Sequence, residues 1–419
     1  MHAHQWTELI NTTSPLKTCP EPAGESISTI IYTSGTTGTP KGVVHSFNSM
    51  AWGVSCATRR FPMDINDRYI SYLPLAHVAE RMLIEQASLR YGGRIFFAES
   101  LDTFLQDLQR ARPTVFFSVP LLWVKLQQGV HSKVPAPKLR FLLSLPVVGH
   151  LVRRKILKGL GLDQCRIAAG GAAPMPADVL QWYRRLGLNL VEVYGMTETS
   201  GVSHATLPGS RQTGSVGLAY DEVETRMDPA TGEIQMRCPA LMKAYYREPE
   251  LTAAALTPDG WLRTGDKGVM DSHGFLSITG RVKDLFKTSK GKYIAPAPIE
   301  DKLVAHDAVE ACVVTGAHYA QPFALVMLSA DAAAESRSAA GRQALEAGLQ
   351  QHLQQVNSHL EPHEKLDFLI AVAETWTSEN GLVTPTLKVK RASIEAKYAP
   401  SYDRWLNQHR EVVWANQPS

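Results

Sequence analysis

Short apolar segments of strand length alternate with helical segments along much of this chain. Residues 116–120, 166–169 and 188–193 are apolar runs, and residues 101–112 and 177–186 beside them are helical stretches. Parallel strands have to be joined by crossover connections, which are usually helices. The alternation therefore predicts a layered α/β fold with largely parallel strands.

The pattern changes twice towards the carboxyl terminus. Between residues 215 and 278, glycine and proline interrupt shorter apolar runs, which predicts a small antiparallel β unit. Residues 283–292 are basic, and strand and helix signals then alternate again. We therefore expect a large domain over residues 1–282, a smaller α+β domain over residues 283–400 and a tail over residues 401–419.

The composition is that of an ordinary globular protein. The chain has 419 residues, 44% of them hydrophobic and 20% charged, and its net charge is +3. That charge is small for this length, and no zinc-spaced Cys/His cluster occurs, so nucleic-acid binding is not expected. Five scattered cysteines favour a reduced, cytoplasmic setting. Neither a secretory signal nor a long apolar run is visible, so no transmembrane helix is expected.

Residues 32–43 combine hydroxyls, glycines and one lysine after an apolar strand at residues 27–32. Glycines let backbone N–H groups approach an oxyanion, hydroxyls add donors, and Lys41 adds a mobile positive charge. Thr39 and Pro40 precede Lys41, so the segment is not a Walker loop. Taken alone, it would fit a flexible surface turn equally well. The candidate nucleotide-binding residues are Thr33, Ser34, Gly35, Thr36, Thr37, Gly38 and Lys41.

The segment 32–43 closely resembles the phosphate-loop signature of the adenylate-forming superfamily, which holds acyl-CoA synthetases, firefly luciferases and peptide-synthetase adenylation domains. Each further match could be an ordinary turn or cap on its own. Together, and in the superfamily's order, they point to membership. These matching segments are residues 73–81, 169–174, 193–199, 261–266, 280–284 and 379–391.

The resemblance implies roles for residues that follow the apolar run 188–193. Ligands bind at the carboxyl ends of strands in open α/β sheets, and these polar residues fall at such an end. By resemblance, Tyr194 packs near the adenine, Gly195 beside it also binds the nucleotide, and Thr197 bonds the α-phosphate. Glu198 would hold Mg²⁺, a hard cation that prefers carboxylate and phosphate oxygens. Alone, Glu198 would be read as a solvated loop residue.

Other matched segments complete the implied nucleotide site. The small residues Gly171, Ala172 and Ala173 would let the base lie flat against the backbone. Asp266 would accept hydrogen bonds from the ribose hydroxyls, and Arg281 would donate to them.

Two further segments carry implied roles outside the nucleotide site. His77 would stand near the carboxylate to be activated, although alone it would be read as an ordinary packed histidine. Lys290 and Gly291 lie in a loop that, by resemblance, approaches the site during thioester formation.

The segment 379–391 resembles the catalytic-lysine segment of the superfamily. An ammonium there would stabilise the charge that builds up when a carboxylate attacks the α-phosphorus of ATP. Many members place glycine before this lysine, whereas Leu387 stands here, which leaves a choice between Lys388 and Lys390. The spacing to Arg391 favours Lys388.

The less universal segments look like those of long-chain fatty acyl-CoA synthetases. The implied reaction joins a fatty acid to ATP, giving acyl-adenylate and pyrophosphate, and then transfers the acyl group to coenzyme A. ATP, Mg²⁺ and coenzyme A are the implied cofactors and co-substrates. Two alternatives stay open: transfer to a carrier protein instead, and a non-catalytic nucleotide-binding remnant.

The phosphate loop begins at residue 32, whereas relatives carry a long segment before it. We therefore expect a large domain that is truncated at its front, in either a fragment or a shortened member. By resemblance, the smaller domain is mobile and the hinge lies near Lys283.

Residues 141–152 form an apolar segment that is followed by three basic residues. A buried helix and loop with a solvated basic end is the favoured interpretation. Peripheral contact with a membrane surface is the alternative, and it would suit an enzyme that collects fatty acids.

Overall fold

The structure is a computed structural model that describes residues 6–18, 21–34, 40–100, 102–173, 175–210, 214–384 and 389–415. It contains a large amino-terminal domain and a smaller carboxy-terminal domain. The strands of the large domain are β1 (Ile27–Ser34), β2 (Pro40–Ser46), β3 (Arg68–Ser71), β4 (Arg94–Phe97), β5 (Val115–Ser118), β6 (Ile167–Gly171), β7 (Leu190–Tyr194), β8 (His204–Ala205), β9 (Leu218–Ala219), β10 (Glu224–Met227), β11 (Glu233–Arg237), β12 (Ala244–Tyr245), β13 (Leu262–Met270) and β14 (Leu276–Arg281).

The helices of the large domain lie mainly between the strands of its amino-terminal two thirds. They are α1 (Trp6–Thr12), α2 (Phe47–Arg60), α3 (Val78–Glu80), α4 (Ala87–Tyr91), α5 (Phe104–Ala111), α6 (Pro120–His131), α7 (Ala136–Ser144), α8 (Pro146–Gly159), α9 (Ala177–Leu186) and α10 (Pro249–Ala255). A π-helical turn, Arg81–Gln86, joins α3 to α4.

The central sheet has the order β5-β6-β7-β8-β9, in which β5, β6 and β7 run parallel and β8 and β9 are antiparallel. Its two faces are both buried, as alternate residues of β6 show. Ala168 packs with Trp123 in the core beneath α5, α6 and α9, and Ala169 packs with Cys56 of α2 on the opposite face. The α/β fold class predicted from sequence is confirmed.

The parallel part of the large domain is smaller than the sequence predicts. Besides β5–β7, the pair β3–β4 is parallel, whereas β1-β2-β12 and β10-β11-β13-β14 form antiparallel sheets. The predicted antiparallel unit over residues 215–278 corresponds to the second of these sheets. The large domain therefore contains both parallel and antiparallel strands, because the chain forms antiparallel hairpins before and after the strands of the central sheet.

The carboxy-terminal domain is a four-stranded sheet covered by helices on both faces. Alternate residues of its central strand point to opposite cores: Val326 packs against the long helix, and Leu325 packs against the last two helices. Its elements are β15 (Phe286–Lys287), β16 (Tyr293–Ile294), α11 (Pro296–Leu303), β17 (Val309–Thr315), β18 (Phe323–Leu328), α12 (Ala330–Glu335), α13 (Ala339–Asn357), β19 (Leu369–Val372), α14 (Arg391–Tyr398), α15 (Tyr402–Leu406) and β20 (Val412–Trp414).

Two segments differ from the sequence interpretation. Residues 401–419 are predicted to form a tail, whereas β20 within them pairs in parallel with β19 and its three side chains are buried. Residues 141–152 are predicted to be buried, whereas Phe141, Val147 and Leu151 are exposed. No helix within the described ranges is both long enough and apolar enough to cross a lipid bilayer.

Candidate active site

The described parts of the hydroxyl- and glycine-rich segment, residues 32–34 and 40–43, lie in the antiparallel β1–β2 hairpin. Thr33 pairs with Lys41 and Ser34 pairs with Pro40, so the strands extend further into the segment than the sequence predicts. Gly42 is required by close packing, because a Cβ there would lie 2.9 Å from the Ile30 side chain and 3.2 Å from Tyr246. The predicted phosphate-binding residues Gly35, Thr36, Thr37 and Gly38 lie outside the described residues.

Tyr245 links the hairpin to the predicted magnesium ligand. The Nζ atom of Lys41 lies 4.8 Å from the centre of the Tyr245 ring, and the Tyr245 hydroxyl donates a 2.6 Å hydrogen bond to Oε1 of Glu198. Burial, reinforced by the Glu198 carboxylate, raises the pKa of Tyr245 well above its usual value. The phenol therefore remains protonated and donates to the carboxylate.

Glu198 lies in a single helical turn, Thr197–Thr199, at the carboxyl end of β7. His45 of β2 holds this turn: its Nε2 lies 2.7 Å from the Thr197 carbonyl oxygen and its Nδ1 lies 3.1 Å from the Ser49 hydroxyl. A carbonyl can only accept, so Nε2 carries the proton. Burial lowers the pKa of His45, which favours the neutral ring. The turn is thus fixed from the neighbouring antiparallel sheet.

Tyr194, Asp266 and Arg281 form a connected group. The Tyr194 hydroxyl donates to Oδ2 of Asp266 at 2.7 Å, and Nε of Arg281 lies 3.1 Å from Oδ1 of the same carboxylate. Asp266 and Arg281 are direct partners across β13 and β14. Burial, with Asp266 adding to it, raises the pKa of Tyr194 well above its usual value. The structure therefore brings the three predicted residues together.

At the ends of β6 and β7, Gly171 and Gly195 stand where a side chain does not fit. A Cβ on Gly171 would lie 2.6 Å from the Val193 carbonyl oxygen, and one on Gly195 would lie 2.3 Å from that of Gly201. Ala172 adopts a positive φ of 70°, an uncommon conformation for a residue with a side chain. Such strain is concentrated at functional sites. Ala173, which follows, is exposed.

An apolar cavity, partly open to solvent, lies beside these strand ends. His77, Ala172 and Gly195, which belong to three separate matched segments, line it. The rest of the lining is almost entirely apolar and comes from α2, the segment around α3 and strands β5 to β7. Representative lining residues are Val54, Ala57, Phe61, Met82, Val115 and Val193.

His77 is fixed at the start of α3, where its Nδ1 accepts a 3.1 Å hydrogen bond from the Ala79 amide. An N–H donor at this distance shows that Nδ1 is the unprotonated nitrogen of a neutral ring. The ring therefore lies in the cavity wall with a defined orientation. This is more than the packed histidine that the residue alone would indicate.

The predicted residues of the smaller domain have contacts within that domain. Lys290 and Gly291 form the turn between β15 and β16, where Nζ of Lys290 lies 3.4 Å from Oε1 of Gln321 and Gly291 has a φ of 78°. Among the described residues, neither of them has a hydrogen bond or ion pair with a predicted nucleotide-site residue. Lys388 lies outside the described residues.

Arg391 anchors the segment that carries the two candidate lysines. Its guanidinium donates 2.6 Å hydrogen bonds to the Val314 carbonyl and to Glu300, and it lies 3.9 Å from Asp284. A strand-like bridge joins Val383 to Val389. Lys390 follows this bridge directly, at the start of α14.

Sequence reasoning missed His45, Tyr245 and the residues of α2 that line the cavity. His45 follows an apolar pair and Tyr245 lies in an unremarkable turn-rich stretch, so neither carries a local signal. Val54 and Ala57 of α2 and Phe61, which directly follows the helix, recur at helical spacing, which predicts a buried face but does not distinguish a core from a cavity wall.

The two-domain α/β architecture, with this hairpin beside the ends of a central sheet, is that of the adenylate-forming superfamily. Two family models match the chain: the AMP-binding enzyme model over residues 2–246 and the AMP-binding enzyme C-terminal domain model over residues 283–408. The chain belongs to the AMP-binding enzyme family.

Similar proteins include several long-chain acyl-CoA ligases. The chain is 33% identical to the peroxisomal long chain acyl-CoA synthetase 7 of Arabidopsis thaliana, over 94% of this chain and 62% of that protein. It is 30% identical to the long-chain-fatty-acid–CoA ligase FadD15 of Mycobacterium bovis, over 91% of this chain and 69% of that protein. The chain spans 44, 62 and 42% of the first three curated relatives.

Among solved structures, the ATP-bound RpMatB-BxBclM chimera B1 superposes with a TM-score of 0.74 at 25% identity. The match covers 94% of this chain and 73% of that one. The similarity extends through both domains.

Proposed function

We propose that this protein activates a long-chain fatty acid with ATP and transfers the acyl group to coenzyme A. The observation that carries the proposal is that an apolar cavity meets the matched segments at His77, beside the implied carboxylate position, and at Ala172 and Gly195 of the implied nucleotide site. An acyl chain in the cavity would present its carboxylate at the ends of β6 and β7. The similarity to long-chain acyl-CoA ligases supports this assignment.

In the first half-reaction, a carboxylate oxygen attacks the α-phosphorus of ATP, and the bond to pyrophosphate breaks. Thr33, Ser34, Gly35, Thr36, Thr37, Gly38 and Lys41 would bind the phosphates through amide, hydroxyl and ammonium donors, and Thr197 would bond the α-phosphate. Lys388 would stabilise the charge that develops on the phosphoryl oxygens.

The carboxylate of Glu198 is suited to bind Mg²⁺. It is buried at the strand end, and Tyr245 occupies only one of its two oxygens. Mg²⁺ is usually held by one or two carboxylates together with substrate phosphates, so a single protein carboxylate is sufficient. The ion would neutralise charge on those phosphates.

The group of Tyr194, Asp266 and Arg281 would bind the ribose. Both oxygens of Asp266 already have a donor at hydrogen-bonding distance, so the carboxylate is oriented before nucleotide arrives. The ribose hydroxyls would donate to it, and Arg281, whose side chain is about half exposed, would turn towards them. Gly171, Ala172 and Ala173 would support the base.

In the second half-reaction, the sulfur of coenzyme A attacks the acyl carbon, and AMP leaves with the bonding electrons. We propose that the domain after residue 282 moves between the two steps and that the loop with Lys290 and Gly291 then approaches the site. The position of Asp284 beside Arg391 supports this hinge, because the contact ties the first residues of the smaller domain to its core.

We propose a cytoplasmic setting with peripheral contact at the inner face of a membrane. The four cysteines among the described residues are free. Reduced thiols are usual in the cytoplasm, and fatty acids partition into bilayers.

The test is exchange of labelled pyrophosphate into ATP with fatty acids of increasing length, followed by acyl-CoA formation. Exchange that requires both a long-chain acid and Mg²⁺, and acyl transfer to coenzyme A, are expected. If pyrophosphate exchange occurs and the acyl group is transferred to a phosphopantetheinyl protein but not to coenzyme A, the acceptor is a carrier protein. Folded, ATP-binding protein that shows no exchange with any acid would contradict the proposal.

A further inference from the structure

The helical hairpin α7–α8 presents an apolar outer surface. Phe141 of α7 is 65% exposed, and Val147 and Leu151 of α8 are 74% and 60% exposed. Single exposed apolar residues are ordinary, but a cluster on one element marks an interaction site. This cluster is the apolar tip of the hairpin.

The exposure does not come from a detached element. On the inner side of the hairpin, Leu139 is buried, and Leu143, Val152 and Ile156 pack against the same core cluster as Trp123. The guanidinium of Arg153 donates to the Leu143 carbonyl and ties the two helices together. The hairpin is therefore firmly seated while its outer side faces solvent.

The outer face of α8 continues from apolar to basic. Positions 147, 151, 154, 155 and 158 follow helical spacing, so Val147 and Leu151 share a face with Arg154, Lys155 and Lys158. All five side chains are exposed. Within the part of the chain that the structure describes, none of these three cations forms an ion pair.

The surrounding sequence is strongly one-sided in charge. Between Asp107 and Asp163 the chain contains ten lysines and arginines and no aspartate or glutamate, although the net charge of the whole protein is only +3. Lys138 and Arg140 of α7 are exposed as well. The hairpin is thus a local cationic region on an almost neutral protein.

We propose that the α7–α8 hairpin docks on the surface of a lipid bilayer that contains anionic lipids. The apolar tip would enter the interface between headgroups and acyl chains, and the cations beside it would meet lipid phosphates. Charge complementarity selects an anionic surface. The three exposed apolar side chains favour lipid over nucleic acid. A nucleic acid would be bound through its phosphates by the cations, and the apolar side chains would have no role.

The core beneath the hairpin also forms part of the cavity wall. Phe116 of β5 belongs to the core on which the hairpin packs, and it also lines the cavity. Docking would hold the cavity close to fatty acids dissolved in the bilayer. This functional advantage rests on the proposed function, whereas the docking itself does not.

The experiment is flotation of the full chain with vesicles of phosphatidylcholine alone or with a third of phosphatidylglycerol. Binding to the anionic vesicles is expected to be at least tenfold tighter and to weaken as salt is raised. Arg154→Glu with Lys155→Glu should lower that binding at least tenfold, and Phe141→Ser with Leu151→Ser should lower it several-fold. Circular dichroism and thermal unfolding of each variant establish that it is folded.

Matched controls are Arg185→Glu with Lys365→Glu, which reverse exposed charges elsewhere, and Leu89→Ser, which removes an apolar residue that is 76% exposed. These should bind like the unmodified chain. Equal binding to both vesicle types, no binding, or unchanged binding by the folded hairpin variants would overturn the proposal. Tighter binding to RNA than to anionic vesicles would do the same.

Pyrophosphate exchange with dissolved fatty acid separates the two proposals. Hairpin variants should retain this exchange while they lose activity on fatty acid held in vesicles. Vesicle binding without any exchange would leave the docking surface standing and reject the proposed function.

Discussion

Tyr245 is a single side chain that connects two motifs far apart in sequence. Its ring lies against Lys41 and its hydroxyl holds Glu198, so both charged groups depend on it for their positions. A hydrogen bond to a charged group contributes about 1.5–3 kcal/mol. Most of that contribution would act on the orientation of the carboxylate that we assign to Mg²⁺.

Tyr245→Phe removes the hydroxyl and keeps the ring against Lys41. We expect the Mg²⁺ concentration required for half-maximal pyrophosphate exchange to rise about tenfold, which corresponds to roughly 1.4 kcal/mol. Tyr246→Phe, in the neighbouring and exposed tyrosine, is the matched control and should change little. An unaltered Mg²⁺ requirement in Tyr245→Phe would separate Tyr245 from the metal site.

At this scale the sequence predicts the charged groups but not their supports. Lys41, Glu198, Asp266 and Arg281 are found from matched motifs, and the structure places Asp266 and Arg281 in direct contact. His45 reaches Thr197 across 152 positions of sequence, and no local pattern indicates a hydrogen bond between such distant residues. Supporting residues of this kind become visible only once the chain has folded.

Helix α2 forms part of the cavity wall. Ala57 lies on its buried face and lines the cavity, whereas Ala51, on the same helix, is exposed. Ser46 caps the helix reciprocally with Ser49, which fixes its register at the start. The small side chain at position 57 leaves room that a larger one would fill.

Ala57→Phe should shift the preferred fatty acid to a shorter chain, because the ring would occupy part of the cavity. We expect kcat/KM for the longest accepted acids to fall at least tenfold while that for shorter acids is retained. Overpacking costs about 1–3 kcal/mol of stability, so thermal unfolding should accompany the kinetics. Ala51→Phe is the control. A uniform loss for all chain lengths would argue against an acyl cavity.

Val383 and Val389, on either side of the candidate Lys388, are joined by a strand-like bridge. Arg391, two residues further on, is bonded to Val314 and Glu300 of the smaller domain. Lys388→Ala should abolish pyrophosphate exchange but leave conversion of supplied acyl-adenylate and coenzyme A to acyl-CoA largely intact. Lys390→Ala should affect neither by more than a few-fold. Reversed effects of the two substitutions would assign the role to Lys390.

At the scale of elements, the sequence predicts the position of strongly periodic segments well, but it does not predict the exposed face of the hairpin α7–α8. The segment 177–186 coincides with α9, and the apolar run 188–193 overlaps β7, because each has one clear period and a buried face. Residues 141–152 are just as apolar, yet hydrophobicity alone does not say whether such a segment packs inwards or faces solvent. That outcome depends on the neighbours that the fold supplies.

On the scale of the whole molecule, the two domains meet through charged groups. Lys125 of the large domain forms a 2.9 Å ion pair with Glu310 of the smaller one. Nearby, burial raises the pKa of Glu192 to about 7, with repulsion from Asp301 adding to it. Burial, followed by repulsion from Glu300, also raises the pKa of Asp301 to about 7, against a smaller opposing effect of Lys302.

These raised pKa values make stability depend on pH. The ordinary pKa values of the two groups are near 4, so between about pH 4 and pH 7 the folded chain binds more protons than the unfolded one. Stability contributed by the protonated groups is therefore lost as the pH rises through this window.

Glu192→Gln with Asp301→Asn should remove that loss. We expect the variant to gain roughly 2–4 °C in Tm over the unmodified chain at pH 8 and clearly less at pH 5. Asp307→Asn, an exposed carboxylate of the same domain, is the control. A gain that is equal at both pH values would show that ionisation of the pair does not oppose folding.

The cations on the hairpin α7–α8 also make the charge of the molecule uneven. Six lysines and arginines and no acidic residue lie between Ala136 and Gly159, although the net charge of the whole chain is only +3. A negatively charged support should therefore be contacted preferentially through this hairpin. On a cation-exchange column the protein should elute at higher salt than other proteins of equal net charge.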